Sequence, residues 1–350
     1  MRVAWLAGPG TLLRLERTLH PLAIGLIDEM AEITCLCPNT TAEGVLETFP
    51  FESFRYPFSK WLPMRRRTIY SLADFLVGRK INVLHALDGS SARLAQRLAE
   101  ARGWKYLLSV DRTDPFRRLE WPDERLHSVL AASKSLKEHL AEDELPDDML
   151  RILRPGVYHS KKPSSFAGQA EVTSVLISGR LDNFDHYAPI LWSIKRLIDA
   201  GHECAFFLVG RGPADRRLRT LAERLEIRPW LTIADMPRPR QLAGILKAAD
   251  VFITPGNPDA VDMTVLLAMS AGVAVLGGQA GVSDFIQDEQ TAMVYDLEDP
   301  GDIYEKLTSL LSDPKRARAI GQNALSYVHA YHSSADMVSK LLKAYRAAVV

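Results

Sequence analysis

Hydrophobic and polar positions alternate along the first half of the chain in blocks that predict strands and helices in turn. Short apolar runs bounded by turn residues predict strands, and apolar positions at helical spacing lie between them. The predicted strands are residues 2–7, 33–37, 81–86, 106–110, 128–132 and 151–153, with helices at 19–30, 69–77 and 92–101 and from Ser133 to 142. This alternation predicts a doubly wound parallel α/β sheet.

The second half restarts the same alternation. Its predicted strands are 175–178, 205–209, 231–233, 251–253, 273–276 and 291–295, with helices at 187–200, 215–225, 240–248, 263–271, 300–311, 314–331 and 334–348. Residues 157–173 are polar and show no period, so they are interpreted as a linker. We therefore expect a first domain at 1–160 and a second at 174–330, facing each other across a cleft. A terminal helix within 334–350 is expected to pack back on the first domain.

A strand, loop, helix and strand follow one another within residues 251–276. The first strand ends at Thr254, and the Pro-Gly turn chemistry that follows includes Gly256. A short loop then carries Asp259 and Asp262, and Gly272 is placed to cap the end of the helix. Because open parallel sheets bind ligands at the carboxyl ends of their strands, this loop is a candidate binding loop.

Composition narrows the class of protein. The chain has 350 residues with 47% hydrophobic and 25% charged positions, and its 43 Lys and Arg balance 43 Asp and Glu. That balance argues against a nucleic-acid partner. Cys35, Cys37 and Cys204 form neither a disulfide framework nor a zinc-ligand spacing. We see neither the long apolar core of a signal peptide nor the roughly 18 consecutive apolar residues of a membrane helix. A cytoplasmic location is therefore predicted.

Four motifs in the second half carry a family resemblance. They are I-S-G-R-L at 177–181, L-V-G-R-G-P at 208–213, A-D-V-F-I-T-P at 249–255 and A-M-S-A-G-V-A-V at 268–275. In order and spacing they resemble the motifs of GT-B glycosyltransferases of the retaining group 1 (family 4) kind. The resemblance implies a GT-B fold of two Rossmann-like domains. It also implies transfer of a sugar, with retention, from a nucleotide-diphosphate sugar to an acceptor.

The resemblance also assigns roles to residues. Arg180 would pair with the diphosphate, the turn of Gly210 and Gly212 would let backbone amides approach it, and Asp259 would contact the sugar. Asp111 follows a strand where the family often has a histidine, and it is a candidate catalytic group. Further residues assigned to the nucleotide sugar are Gly179, Arg211, Gly256 and Asp262. The implied reaction uses no cofactor and no metal, because no DxD-type motif is suitably placed.

Two positions depart from the family pattern. The lysine five residues after the arginine is Asp185, followed by His186, and the second glutamate of the donor site is Leu267. A carboxylate would repel a diphosphate, and leucine cannot accept a hydrogen bond from a ribose hydroxyl. Two hypotheses therefore stay open: a divergent glycosyltransferase, or a GT-B protein without turnover that serves as a binding or partner subunit. A GT-B epimerase or phosphorylase is a further alternative, whereas a dehydrogenase is disfavoured because no G-x-G-x-x-G follows the first strand of either half.

The sequence leaves the acceptor open among glycans, lipids and small molecules. Arg65, Arg66 and Arg67 with Trp61 would suit a peripheral membrane contact or an acidic acceptor, and a solvated helix start is the alternative. A protein partner is likewise left open. His85, at the end of a predicted strand, is interpreted as a core histidine rather than a catalytic one.

Overall fold

The chain forms two compact units. The structure, a computed structural model, describes residues 1–59, 64–113, 123–142, 145–168, 172–235, 239–278 and 281–349. The first unit comprises Met1–Val157 and His332–Val350, and the second comprises Tyr158–Tyr331.

The first unit is built on a parallel sheet. Among the described residues its strands are β1 (Arg2–Leu6), β2 (Glu32–Pro38), β3 (Glu52–Tyr56), β4 (Val83–Ala86), β5 (Tyr106–Val110), β6 (Leu126–Ala131) and β7 (Leu150–Ile152). They are ordered β3-β2-β1-β4-β5-β6-β7, and every recorded pairing is parallel. Its helices before the second unit are α1 (Thr11–Arg14), α2 (Glu16–Asp28), α3 (Glu43–Leu46), α4 (Arg66–Gly78), α5 (Gly89–Arg102) and α6 (Lys134–Glu142).

The second unit repeats this architecture. Within the described residues its strands are β8 (Thr173–Arg180), β9 (Cys204–Arg211), β10 (Leu231–Ala234), β11 (Val251–Thr254), β12 (Ala274–Gly277) and β13 (Met293–Val294). They are parallel in the order β10-β9-β8-β11-β12-β13. The helices are α7 (Phe184–Asp199), α8 (Asp215–Arg224), α9 (Pro239–Ala248), α10 (Met263–Ala271), α11 (Pro300–Ser312) and α12 (Pro314–Tyr331). The prediction of two doubly wound Rossmann-like sheets is confirmed.

The burial of a strand explains whether it could be predicted from the sequence. The four residues of β4 and the four of β11 are all buried, because helices cover both faces of a parallel sheet and select continuous apolar runs. The edge strand β3 has only one buried residue, Tyr56, and it escaped the sequence prediction together with α3. An edge strand pairs with a neighbour on one side only and needs no continuous apolar run, so the hydrophobic pattern that predicts a strand is weak there.

The last helix, α13 (Ser334–Val349), belongs to the first unit and packs against α2. The indole Nε1 of Trp5 donates to the hydroxyl of Tyr345 at 2.9 Å, and that hydroxyl lies 2.6 Å from Nδ1 of His85. Nε2 of His85 lies 2.8 Å from the Ser109 hydroxyl. Since the indole can only donate, the tyrosine is free to donate to Nδ1. Burial lowers the pKa of His85 to about 3, so the imidazole is neutral and both its nitrogens are satisfied inside the core.

The segment interpreted as a linker is built into the second unit over its described part. Backbone amides of Ser160, Ser164 and Ser165 donate to carbonyls at the end of α10 and just beyond, at 2.8 to 3.1 Å. Asp250 accepts from the amides of Phe166 at 2.8 Å and Ser174 at 2.9 Å. The structure thus divides the chain after Val157, earlier than the sequence suggested. Backbone hydrogen bonds of this kind leave no trace in composition.

One further feature concerns membranes. Among the residues that the structure describes, no helix combines the length and the apolar character needed to cross a bilayer.

Candidate functional site

The carboxyl edge of the second sheet presents two arginines side by side. Arg180 is the last residue of β8, Arg211 is the last residue of β9, and the two are direct register partners. Nε of Arg180 donates to Asp182 at 2.7 Å, and Nη2 of Arg211 donates to Asp235 at 3.0 Å. All four side chains are exposed. This edge therefore has two solvent-exposed guanidinium groups, and each is ion-paired with a carboxylate that is also exposed.

The glycines of this edge serve packing within the unit. A Cβ on Gly210 or Gly212 would overlap atoms of Leu181, and a Cβ on Gly179 would overlap the hydroxyl of Tyr187. That hydroxyl donates to the carbonyl of Arg180 at 3.2 Å. The role of Gly210 and Gly212 in letting a diphosphate approach stays a prediction, and these contacts give a second reason for glycine at both positions. The residue type at both positions is explained by the close approach of the β8 turn to β9.

The loop after β11 contains two of the predicted site residues. Gly256 adopts a left-handed φ of 79°, which suits glycine, and its amide donates to the Thr254 hydroxyl at 3.2 Å. Asp259 is exposed, and its amide donates to the side chain of Asn257 at 3.1 Å. The Tyr295 hydroxyl donates to the carbonyl of Thr254 at 2.9 Å and fixes the strand end. The Asp259 carboxylate is thus accessible at the carboxyl edge, where a ligand could meet it.

The side chain of Asp262 caps the amino end of α10. Its carboxylate accepts from the amides of Thr264 at 2.9 Å and Val265 at 3.2 Å at the start of α10. The Thr254 hydroxyl also donates to it, at 3.4 Å. Desolvation raises the pKa of Asp262, and these hydrogen bonds oppose the rise. The assignment of Asp262 to the nucleotide sugar stays a prediction, and within the described residues its carboxylate caps α10.

The departures noted in the sequence lie in the second unit. Leu267 is half-buried on α10, and Asp185 is exposed in the first turn of α7, where its amide donates to Asn183 at 3.0 Å. His186 is the next exposed residue of the same helix. The amino end of α7 therefore adds a carboxylate to the unit where the resemblance implied a lysine.

The carboxyl edge of the first sheet carries an ion network that the sequence did not reveal as one. Arg14, at the end of α1, donates to Asp88 at 2.6 Å and also to Asp111. Asp88 follows β4, and Asp111 follows β5, which is its neighbour in the sheet. Asp111 is thus a charge partner of Arg14, and its Oδ1 also lies 3.5 Å from Nε of Arg112.

Asp88 is the centre of this network. It accepts from the amide of Ser90 at 3.1 Å, the Ser90 hydroxyl at 2.6 Å and the Thr11 hydroxyl at 2.7 Å, in addition to Arg14. A Cβ on Gly8 would overlap the Ser90 side chain, so the loop after β1 closes on the start of α5. Sequence reasoning missed Arg14 and Asp88. The only sequence signal for either residue was its position after an apolar run. The pairing itself could not be predicted, because the two partners lie 74 residues apart.

Comparison with known proteins identifies the second unit. Residues 173–313 match the family described as Glycosyl transferases group 1. The matched residues lie within the second unit, which is therefore similar in sequence to group 1 glycosyltransferases. The chain is 27% identical over 143 residues to a D-inositol 3-phosphate glycosyltransferase of Segniliparus rotundus, covering 40% of this chain and 31% of that protein. It is also 27% identical over 275 residues to a GDP-mannose-dependent alpha-(1-6)-phosphatidylinositol monomannoside mannosyltransferase of Mycobacterium tuberculosis, covering 73% and 69%. The aligned part is thus under a third of the first of these relatives.

Solved structures show that the fold extends beyond the group 1 domain. A glycosyltransferase of Rickettsia africae superposes with a TM-score of 0.83 at 14% identity, covering 99% of this chain and 98% of that one. The Anabaena protein Alr3699/HepE, in complex with UDP and glucose, superposes with a TM-score of 0.79 at 11% identity, covering 98% of each chain. The fold is that of the GT-B glycosyltransferases.

Two remaining expectations concern other ligands. Arg65, Arg66 and Arg67 are exposed around the start of α4, and Trp61 lies outside the described residues. Over the part of the chain that the structure describes, no three His, Cys, Asp or Glu side chains gather as a metal site. The membrane contact and the metal-free reaction stay predictions.

Proposed function

We propose that this protein transfers a glycosyl unit from a nucleoside-diphosphate sugar to an acceptor, with retention at the anomeric carbon. The observation that carries the proposal is the exposed guanidinium of Arg180 at the carboxyl edge of a sheet whose sequence matches group 1 glycosyltransferases. An arginine there can bind the diphosphate and stabilise the charge that develops as it leaves.

The other predicted residues take supporting roles in this proposal. Asp259 is exposed on the loop after β11 and would accept a hydrogen bond from a sugar hydroxyl. Asp111, Arg14 and Asp88 lie at the edge of the first sheet, where we place the acceptor. The Asp111 carboxylate, whose side chain is 16% exposed, would accept a hydrogen bond from an acceptor hydroxyl. Gly179, Gly210, Gly212, Gly256 and Asp262 would shape the donor site by holding its backbone.

The relatives suggest which substrates to try. GDP-mannose is named for the Mycobacterium relative, and UDP-glucose occurs in one of the structural neighbours. D-inositol 3-phosphate and an inositol lipid are the acceptors in the names of the relatives. We propose a nucleotide sugar of this kind as donor, and a hydroxyl-bearing acceptor that includes polyol phosphates and glycolipids among its candidates.

A binding or partner subunit without turnover is the second candidate. Asp262 occupies two amides at the start of α10, and Asp185 adds a carboxylate near the start of α7. Both features weaken anion binding by the second unit. This candidate predicts binding of a partner protein and no slow hydrolysis of any donor.

Calorimetry with UDP-glucose and GDP-mannose tests the main proposal. Wild-type protein should bind at least one donor, and Arg180→Ala should weaken binding by about tenfold or more, the loss of one charge-assisted interaction. Lys195→Ala, which removes a different surface ion pair, with Asp199, is the control. NMR of the product's anomeric proton would test retention. Absence of binding and of hydrolysis with every donor would favour the second candidate.

A further inference from the structure

The ends of β8 and β9 hold Arg180 and Arg211 at one fixed spacing. The two residues are register partners in a parallel pair, so their Cα atoms lie about 4.8 Å apart and their side chains leave the same face of the sheet. The preceding partners, Gly179 and Gly210, face the opposite side. Two guanidinium groups therefore start from neighbouring points on one face of the strand ends.

The backbone beneath this pair is rigid. The amide of Leu181 donates to the carbonyl of Arg211 at 3.2 Å, and the amide of Ala214 donates to the carbonyl of Leu181 at 2.9 Å. Tyr187 holds the carbonyl of Arg180. The overlap that a side chain at Gly210 would make with Leu181 shows how closely these segments pack. The spacing of the two arginines is thus set before any ligand arrives.

The side chains themselves are free to turn. Arg180 is 79% exposed and Arg211 is 76% exposed, and their partners Asp182 and Asp235 are 52% and 75% exposed. Surface ion pairs of this kind contribute little to stability, so exchanging them for another anion costs little. A diphosphate carries several charges on adjacent phosphoryl groups, and two neighbouring guanidinium groups match that arrangement.

We propose that Arg211 is a second diphosphate-binding residue that acts together with Arg180, and that Asp182 and Asp235 are internal competitors which the diphosphate displaces. The inference rests on the proposed function and names the residues that recognise the phosphates of its donor. In this proposal the diphosphate is bound mainly by two arginine side chains on one face of the sheet, rather than by backbone amides.

Titration with inorganic pyrophosphate, followed by calorimetry, tests the pair directly. Arg211→Gln should weaken binding by about tenfold, as Arg180→Gln does, because each removes one charge-assisted contact. Arg224→Gln, at the far end of α8, makes the same change in net charge and should leave binding within about twofold. The variants should melt within a degree or two of wild type, since both ion pairs are exposed.

The competitors give an effect of opposite sign. Asp235→Asn and Asp182→Asn should each tighten pyrophosphate binding by about threefold, because the arginine no longer has a charged partner to give up. Asp199→Asn, which removes the partner of Lys195 in a different surface ion pair, is the control for the change in charge.

The outcomes separate the two proposals. If Arg211→Gln behaves like Arg224→Gln while Arg180→Gln loses binding, the second arginine is wrong and the donor site stands. If neither Arg180→Gln nor Arg211→Gln differs from the control, both proposals fail. Unchanged affinity in Asp235→Asn and Asp182→Asn would overturn the displacement part alone.

Discussion

The two sheets end in carboxyl edges that carry the same kinds of residue in opposite arrangements. In the first unit, the Arg14 side chain is 28% exposed and its partner Asp88 is 7% exposed. Asp111 completes that network from the neighbouring strand. In the second unit, Arg180 and Arg211 extend into solvent, each with one exposed partner. One edge has its charges satisfied internally, and the other keeps its cations available.

The difference shows that topology does not decide how a strand end is used. Both units are parallel and doubly wound, so both bring loops to the same kind of edge. A buried ion network at that edge holds the loops in place, because removing one partner leaves an uncompensated charge. An exposed pair costs little to open, so it suits exchange with a ligand. Four experiments test this contrast.

The largest effect is expected from Arg14→Met. It removes the cation of Asp88 at a partly buried position and leaves Asp111 with only Arg112, so we expect a loss of about 3 kcal/mol in the free energy of unfolding. Arg180→Met, the same change at the exposed edge, should lose less than about 1 kcal/mol. Urea unfolding of both variants measures the difference. Equal losses would show that the two edges are not distinct in energy.

Gly212→Ala sharpens the interpretation of the second edge. The added Cβ would overlap the backbone of Leu181, which cannot turn aside as a side chain could, so we expect a loss of about 2 to 3 kcal/mol in stability. Gly244→Ala, in α9 with open space around the new methyl, should instead gain about 0.5 to 1 kcal/mol. Thermal unfolding compares the two. A stable Gly212→Ala protein with lost pyrophosphate binding would instead support the role of Gly212 in ligand approach.

His85 links the first edge to the core beneath it. Burial lowers its pKa to about 3, whereas an unfolded histidine titrates near 6.5. Between these values the unfolded chain binds a proton that the folded chain does not. Stability should therefore fall as the pH drops from about 6.5 towards 3, by about 2 kcal/mol at pH 5 relative to pH 7.

The variant His85→Gln tests this assignment by urea unfolding at pH 7 and pH 5. It should lower stability at pH 7, because Tyr345 and Ser109 lose their fitted partner, and it should reduce the dependence on pH. His186→Gln, at an exposed position, should keep the wild-type dependence. An unchanged slope in His85→Gln would assign the pH dependence to other groups.

The smallest effect concerns the cap of α10. Asp262→Ala removes the acceptor for the amides of Thr264 and Val265 and should lose about 1 kcal/mol of stability. Asp262→Asn keeps an acceptor oxygen and should lose less. Thermal unfolding of the pair separates the cap from the charge. If Asp262→Ala is as stable as wild type, the carboxylate is not required for the helix start and a ligand role gains ground.

Much of the fold could be predicted from local pattern. The bounds of α10 and α12 agree with the sequence prediction, because apolar spacing, Gly272 and the flanking prolines act locally. Gly272 takes the left-handed conformation expected of a helix cap, with φ of 71°. The edge strand β3 was missed because only one of its residues is buried, so its sequence has no continuous apolar run.

The site was predictable only in part. Arg180 could be named from sequence because its motif is contiguous, and its exposure at the strand end leaves the guanidinium accessible, while its binding role stays a prediction. Arg14 and Asp88 were missed because their pairing spans distant segments of the chain. The motif residue Asp250 proved structural, since it accepts from two backbone amides at the start of the second unit.

Local stretches of sequence were enough to predict the alternation of strands and helices, the two sheets and the family motifs, because each depends on residues close together in the chain. Tertiary structure alone decided which charges meet. Strand order placed Asp88 beside Asp111 within reach of Arg14, and β8–β9 register set Arg180 next to Arg211. Charge pairing depends on distances in space between segments far apart in sequence. It therefore exists only once the chain has folded.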